Sequence, residues 1–161
     1  MAGKQLKLRT RFIATEGVKE YRETVPFCVN HDDVVLEIGC EWGTTTRILA
    51  EHCRQVIATD VSEDCIERAR QQHPDLDFRL LDGFDLKAVL ELGCDFTKVY
   101  IDISGLSGYR SLLDLISLLN AYANVIQPEA IVIKSGGLKH VARHCIAWHS
   151  GMARKLGDAS K

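Results

Sequence analysis

Five short apolar runs, separated by segments with helical patterning, constrain the fold of this chain more than any other feature. The runs are rich in β-branched residues and nearly continuous in apolar character, which is typical of strands buried on both faces of a parallel sheet. Five strands of one sheet are therefore predicted. They read VVLEIGC at 34–40, QVIATD at 55–60, LDFRLLD at 76–82, KVYIDIS at 98–104 and AIVIKS at 130–135.

Helices are predicted between these strands. One follows the first strand over 44–53, a second begins after the cap residue Ser62, and a third begins at Asp85. The longest, over 109–126, carries a broad apolar face. Strands that alternate with helices predict an α/β fold with a three-layer, doubly wound and mostly parallel sheet. Ligands of such sheets bind at the carboxyl ends of the strands.

The chain is expected to form one domain over residues 1–161, with a basic segment at 1–15 and a polar tail at 152–161. A hydrophobic content of 46% excludes a disordered chain. No apolar run approaches the ~18 residues of a membrane span, and the N-terminus lacks a signal-peptide core, which predicts a cytoplasmic protein with no membrane partner. The six cysteines include no Cys-x-x-Cys pair, so we expect core thiols and no metal site.

Net charge is distributed unevenly along the chain. Residues 1–15 carry four cations and no acid, and residues 134–161 carry six cations and one acid. Because the whole chain has a net charge of −2, the middle part carries −11. This balance excludes a uniformly basic nucleic-acid coat. Two interpretations of the basic ends stay open: solvated termini, or a meeting place for an anionic partner.

The first predicted strand runs into a glycine-containing loop, LEIGCEWGTTT. Gly39 and Gly43 allow the backbone to approach a ligand closely, and a helix begins near Thr44. A nicotinamide fingerprint needs glycines at the first, third and sixth positions, but here Glu41 and Thr44 occupy the third and sixth. A dinucleotide-binding loop of that type is therefore excluded.

Glu37, Gly39 and Gly43 form the pattern acidic-x-Gly-x-x-x-Gly, which resembles the first motif of class I, Rossmann-like S-adenosylmethionine-dependent methyltransferases. Glu41 replaces the middle glycine of that motif. The resemblance covers about residues 30–150 and implies S-adenosylmethionine as cofactor, with Asp60 on the ribose hydroxyls and Asp82 near the adenine. The residues that it assigns to the cofactor are Glu37, Gly39, Cys40, Glu41, Gly43, Asp60, Val61, Asp82, Gly83 and Phe84.

The resemblance places the methyl group at the end of the fourth strand, where Asp102 becomes a catalytic candidate. Lys134 ends the fifth strand, and a lysine beside such an aspartate resembles fibrillarin-like ribose 2′-O-methyltransferases, where it helps to deprotonate a hydroxyl. The sequence lacks the Asn/Asp-Pro-Pro-aromatic motif of nucleobase amino methyltransferases, the Pro-Cys pair of cytosine-carbon enzymes, and a second acid between Asp102 and Asp114 for a catalytic metal. Three functions stay open: methyl transfer to an unassigned acceptor such as a hydroxyl, methyl transfer to RNA ribose, and a cofactor-binding module without turnover.

The full class I fold ends in an antiparallel β-hairpin, for which no strand signal follows residue 146. A five-stranded sheet would leave its fifth strand as an exposed edge, which predicts self-association or a partner near 130–150. Two further groups of residues are expected to have structural and not catalytic roles. His140, His144, Cys145 and His149 are assigned to a solvated helix face, and Trp42 is assigned to packing at the glycine loop.

Overall fold

Six parallel strands form one sheet in the computed structural model, which describes residues 9–103 and 111–146. The strands lie in the order β1-β6-β5-β2-β3-β4, and every neighbouring pair is parallel. The α/β fold predicted from the sequence is thereby confirmed. The strands are β1 (Arg11–Thr15), β2 (Val34–Ile38), β3 (Gln55–Asp60), β4 (Asp77–Leu80), β5 (Lys98–Ile101) and β6 (Ala130–Lys134).

Helices connect the strands and begin at the capping residues that the sequence indicated. The Ser62 hydroxyl accepts a hydrogen bond from the backbone N–H of Cys65 at 3.3 Å, and Asp85 accepts one from Ala88 at 3.1 Å. None of the described helices is long and apolar enough to cross a membrane. The helices are α1 (Val18–Glu23), α2 (Val25–Cys28), α3 (Thr44–Ala50), α4 (Glu63–Gln72), α5 (Leu86–Glu91), α6 (Leu112–Val125) and α7 (Gly136–His144).

Alternating side chains of the strands supply apolar cores on both faces of the sheet. In β2, Leu36 points to the face covered by α5 and α6, where it joins Leu115 and Tyr122. Its neighbour Val35 points to the opposite face, where α1 and α3 contribute Tyr21 and Leu49. The period of two along each strand thus explains why these strands are apolar at nearly every position.

The first strand, β1, lies within the segment 1–15 that the sequence analysis treated as an appendage. It pairs in parallel with β6, so that Phe12 lies beside Ile131 and Thr15 beside Lys134. The expected exposed edge at 130–134 is therefore wrong, because β1 covers it and becomes the edge strand itself. Among the described residues no strand follows β6. The polar tail at 152–161 lies outside them.

A buried ionic cluster joins three strand starts at the amino end of the sheet. Lys98, 3% exposed, donates hydrogen bonds to Asp33 and to Glu129, each at 2.7 Å. Thr97 donates a further one to Asp33 at 2.6 Å. Burial alone would raise the pKa of Asp33, but the hydrogen bonds from Lys98 and Thr97 hold it below its usual range. The cluster satisfies the charges that the fold buries here.

Candidate functional site

A cleft of about 710 Å³ opens at the carboxyl ends of the strands, within the size range of small-molecule sites. Loops that follow β2, β3, β4 and β5, together with the last residue of β6, supply much of its wall. This is the position that the doubly wound sheet predicts for a ligand. Ten of the twelve residues that the sequence assigned to the site line it: Gly39, Cys40, Glu41, Asp60, Val61, Asp82, Gly83, Phe84, Asp102 and Lys134.

The glycine loop after β2 passes so close to its neighbours that side chains are excluded at two positions. Gly39 has φ +80°, and a Cβ atom there would lie 1.9 Å from the carbonyl oxygen of Asp102. Gly43 has φ +82°, and its Cβ would meet the ring of Phe78 at 2.7 Å. Both positions need glycine for the backbone angle and for the space. Gly39 therefore lines the cleft, whereas Gly43 does not lie in its wall.

Asp60, at the end of β3, holds the same loop in place. Its Oδ2 accepts a hydrogen bond from the backbone N–H of Glu41 at 3.0 Å, and its Oδ1 accepts one from Ser62, also at 3.0 Å. These bonds fix the orientation of the carboxylate. Each oxygen still has a lone pair for a ligand hydroxyl, because a carboxylate can accept about four hydrogen bonds.

The wall beside Asp60 comes from the turn after β4. Asp82 accepts a hydrogen bond from the backbone N–H of Phe84 at 2.9 Å. On the other side of the turn, the buried hydroxyl of Tyr122 donates to the carbonyl of Gly83 at 2.7 Å. Phe84 and Val61 are 49% and 69% exposed, although both are apolar. Hydrogen bonds thus fix the turn after β4. The apolar side chains of Phe84, in this turn, and of Val61, after β3, are exposed to the cleft.

Glu37 lies behind the cleft wall, in contrast to the other acids of the site. It is 1% exposed, and the hydroxyl of Thr46 donates a hydrogen bond to its Oε2 at 2.5 Å. Burial raises the pKa of Glu37 to about 8, although the hydrogen bond from Thr46 acts in the opposite direction. Near neutral pH the group is mostly uncharged. Its contact ties β2 to α3, and the negative charge expected from it does not reach the cleft.

Asp102 and Lys134 form an ion pair in the cleft wall. Asp102 follows β5, and Lys134 is the last residue of β6. The register of the two strands places Ile101 beside Ile133, so the next residue of each strand also lies beside the other. Lys134 Nζ lies 2.5 Å from Asp102 Oδ1, and the two side chains are 25% and 17% exposed. The pair is open enough to contact a ligand. The sequence predicted this juxtaposition correctly from the two strand ends.

The helix that follows β1 adds residues to the site that the sequence analysis missed. Val18 and Arg22 of α1 line the cleft together with Thr45 of α3. The Nε–H of Arg22 donates a hydrogen bond to Thr45 Oγ1 at 3.0 Å. One sequence signal could have indicated this helix: Tyr21 and Val25 are apolar and four residues apart, which is helical spacing. Both are buried in the structure, and Arg22 follows Tyr21 directly.

The remaining candidates lie away from the cleft. Trp42 is 40% exposed and packs under the guanidinium of Arg68, 3.8 Å from its ring centre. The rings of His140 and His144 stack on α7 with their centres 4.2 Å apart. Within 9–103 and 111–146, no three potential metal ligands form a group. His149 and the segment 104–110, which follows Asp102, lie outside the described residues.

The sequence model of one family, described as a methyltransferase domain, matches residues 35–129, which includes the glycine loop, Asp60, Asp82 and Asp102. No curated protein matches the chain in sequence.

Solved structures share the fold at low sequence identity. DesVI of Streptomyces venezuelae is 19% identical with a TM-score of 0.56, over 73% of this chain and 48% of DesVI. An rRNA methylase of Streptococcus thermophilus is 14% identical with a TM-score of 0.53, over 80% and 81%. The sugar N-methyltransferase KedS8 of Streptoalloteichus sp. ATCC 53650 is 19% identical with a TM-score of 0.50, over 73% and 44%. The chain thus spans about half the length of DesVI and KedS8.

Proposed function

Because this chain belongs to the family of methyltransferase domains, we propose that it methylates a hydroxyl group held beside Asp102 and Lys134. The family model shows the coarser part, a methyltransferase domain, and the sheet gives it a Rossmann-like fold. The activity that we propose for it is S-adenosylmethionine-dependent methyl transfer. S-Adenosylmethionine is its cofactor. The acceptor is the part that we propose.

The residues of the cleft fit this cofactor. Gly39 lets the loop pass directly against the Asp102 carbonyl, where a side chain has no room, and the backbone of the loop lines the cleft. Asp60 presents lone pairs for the two ribose hydroxyls, and Phe84 and Val61 offer apolar surface for the adenine. When bound, S-adenosylmethionine supplies a methyl group on a positively charged sulfur. Carboxylates in the cleft wall favour that charge, whereas they would repel a pyrophosphate.

The Asp102–Lys134 pair supports a hydroxyl as acceptor. A neutral hydroxyl is a weak nucleophile, so its methylation is faster when a neighbouring group accepts the hydroxyl proton. Lys134 holds only one oxygen of Asp102 within 2.5 Å, and the carboxylate can accept a further hydrogen bond from an acceptor hydroxyl. In this proposal the pair orients the hydroxyl and receives its proton, while the rigid cleft aligns it with the methyl group. The single observation that carries the proposal is this half-open ion pair in the cleft wall.

RNA ribose is a second acceptor class that we propose to test. The expected basic ends of the chain, which are suited to an anionic polymer, support it. The Streptococcus thermophilus neighbour is described as an rRNA methylase and matches over 81% of its own length. That similarity is a similarity of fold and does not identify the acceptor. RNA is therefore included as one of the acceptors in the experiment below.

The experiment is a transfer assay with tritiated S-adenosylmethionine. The acceptor panel contains phenols, small alcohols, amines, total RNA, and an RNA oligonucleotide with its 2′-deoxy counterpart. Incorporation into hydroxyl compounds is expected, with loss of about 100-fold or more in Asp102→Asn. Asp64→Asn, on the exposed first turn of α4, is the matched control and should retain activity. Incorporation only into amines, or full activity of Asp102→Asn, would contradict the hydroxyl assignment. Cofactor binding without transfer to any acceptor would favour a non-catalytic module.

A further inference from the structure

A second cavity, of about 640 Å³, lies at the β1 edge of the sheet, and the methyl-transfer proposal does not use it. It is a groove lined by residues of α6, α7 and β1, among them Phe12, Ile116, Leu138 and Arg143, and we call it the edge groove. Its volume is within the range of small-molecule sites. None of its lining residues also lines the cleft. The two cavities are therefore separate sites.

Most of the lining of the edge groove is apolar. Phe12 and Ala14 are two residues apart on β1, so their side chains point to the same face of the sheet. Phe12 and Ile116 are 42% and 45% exposed, although both are large and apolar. Leu138 and Ala142, one turn apart on α7, add further apolar surface. This surface favours a ligand with an apolar body, because such a ligand removes it from water.

Two cationic side chains line the edge groove, and they differ in their partners. Lys139 pairs with Glu20 of α1 and with Glu16 just before that helix, so its charge is already compensated. Arg143 is exposed and has no carboxylate within 4 Å in the part of the chain that the structure describes. No acidic side chain is among the described residues that line the groove. The charge of Arg143 is thus available to an anionic ligand.

The wall opposite Arg143 supplies a second hydrogen-bond donor. Asn120 of α6 accepts a hydrogen bond from Asn124 through its Oδ1 at 3.0 Å. That bond engages the oxygen of the amide and leaves its NH₂ group as a donor. Arg143, on α7, offers a planar guanidinium that can donate two parallel hydrogen bonds. Donors on both walls suit a carboxylate, which only accepts hydrogen bonds.

The dimensions and charge of the edge groove favour a small molecule over a protein partner. Its walls rise only about 6 Å from Ile116 to Asn120 and about 8 Å from Leu138 to Arg143, at 1.5 Å per residue. A helix that docks through positions i to i+7 needs a groove of about 10 Å. A second copy of the chain in a two-fold contact would bring a second uncompensated Arg143 into the same interface. Both alternatives are therefore disfavoured.

We propose that the edge groove binds an apolar monocarboxylic acid, such as a medium-chain fatty acid. Its chain lies against Phe12 and Ile116, and its carboxylate accepts hydrogen bonds from Arg143 and Asn120. The proposal is independent of the methyl acceptor, because no residue lines both cavities. Since the ligand contacts β1, α6 and α7 together, its binding also stabilises the β1 edge of the sheet.

The test is isothermal titration of the full chain with sodium decanoate and with 1-decanol, its neutral counterpart. The wild type is expected to bind decanoate about 10–100-fold more tightly than the alcohol, because only the carboxylate makes charge-assisted hydrogen bonds. In Arg143→Gln the affinity for decanoate should fall by a similar factor, with the alcohol unchanged. The matched control is Arg54→Gln, which removes an exposed arginine just before β3 and should bind both ligands as the wild type does.

A second variant tests the apolar part of the site. Ala142 is exposed and lines the edge groove, so Ala142→Phe places a large side chain inside it. This variant should lose binding of both ligands, and its thermal melt shows that it folds. A saturating concentration of S-adenosylmethionine should leave the affinity of the wild type for decanoate unchanged, because the cofactor occupies the cleft.

Four outcomes would overturn the proposal. Equal wild-type affinity for decanoate and 1-decanol would show that the carboxylate is not recognised, and this comparison needs no variant to fold. Full decanoate affinity in both Arg143→Gln and Ala142→Phe would place the ligand elsewhere on the chain. Displacement of decanoate by S-adenosylmethionine would assign it to the cleft. Absence of decanoate binding, together with a dimer in sedimentation that Ala142→Phe dissociates, would assign the groove to a second copy.

Discussion

Two lysine–aspartate pairs stand at opposite ends of the same sheet and differ in almost every other respect. At the amino end, the side chains of Lys98 and Asp33 are 4% and 5% exposed, and Glu129 and Thr97 form further hydrogen bonds with them. At the carboxyl end, Lys134 and Asp102 are 25% and 17% exposed and face the cleft.

The difference separates a structural ion pair from one that can act on a ligand. A buried pair is closed to ligands, and the removal of one partner leaves the other charge buried without a counter-ion. A half-open pair retains acceptor sites and room for a substrate. Both use the same residue types, so burial and the number of partners decide between the two roles.

The largest effect is expected at the cleft. Lys134→Met should lower kcat about 100–10,000-fold, because a proton-accepting pair is worth that much in the transition state. Stability should change by about 1 kcal/mol or less, since the pair is part exposed. Steady-state kinetics and urea unfolding measure the two quantities. Wild-type kcat in this variant would remove Lys134 from the mechanism.

The opposite result is expected at the amino end of the sheet. Lys98→Met should lower the free energy of unfolding by about 3–5 kcal/mol, because Asp33 is left buried without a cation. Urea unfolding at neutral pH measures the loss. The double variant Lys98→Met with Asp33→Asn should recover part of it, because the uncompensated charge is removed. Equal stability of the single variant and the wild type would contradict the structural role.

Glu37 extends the contrast to a buried acid with no cation beside it. Its pKa of about 8 lies above the usual 4.5, so the folded chain holds a proton that the unfolded chain releases. The contribution of this group to the free energy of unfolding is greatest below pH 4.5 and is lost as the pH rises through about 8. Glu37→Gln keeps an acceptor for Thr46 and should gain about 1 kcal/mol per pH unit over the wild type in that range. Urea midpoints at pH 5 and pH 8 give the comparison, and parallel pH profiles would refute it.

The smallest effect is expected for a fully solvated pair. Lys87 and Glu91 lie 3.7 Å apart on α5, and their side chains are 86% and 65% exposed. Lys87→Met should change the unfolding free energy by about 0.5 kcal/mol or less and leave kcat unchanged. Thermal melts and the transfer assay measure both. A larger loss than in Lys98→Met would mean that burial is not what separates the pairs.

Much of the fold could be predicted because its signals are local. The apolar strands, the caps at Ser62 and Asp85, and the acids at strand ends are each visible within a few residues. Since parallel strands end at one edge, the acids Asp60, Asp82 and Asp102 could also be placed together. The acidic wall of the cleft follows from those features.

The features that escaped prediction depend on distant contacts. β1 is five residues long in a basic stretch, and its partner β6 is not visible from its own sequence. Glu37 was predicted as a cofactor ligand because the motif gives its place in the sequence but not the face of the strand to which its side chain points. Alternation along β2 in fact turns its side chain to the same face as Val35, beneath α3. Arg22 lies on a short helix, where an arginine is usually solvated.

The pairing of β1 with β6 also sets an order of events during synthesis. Thr15 donates its hydroxyl to the carbonyl of Ile133, which the ribosome adds 118 residues later. At 5–20 residues per second, the first strand therefore waits on the order of 10 s for its neighbour. Lys134, which follows Ile133 in β6, joins the cleft at the same late moment. A nascent chain thus carries its glycine loop and its acids well before it has a closed cleft in which to use them.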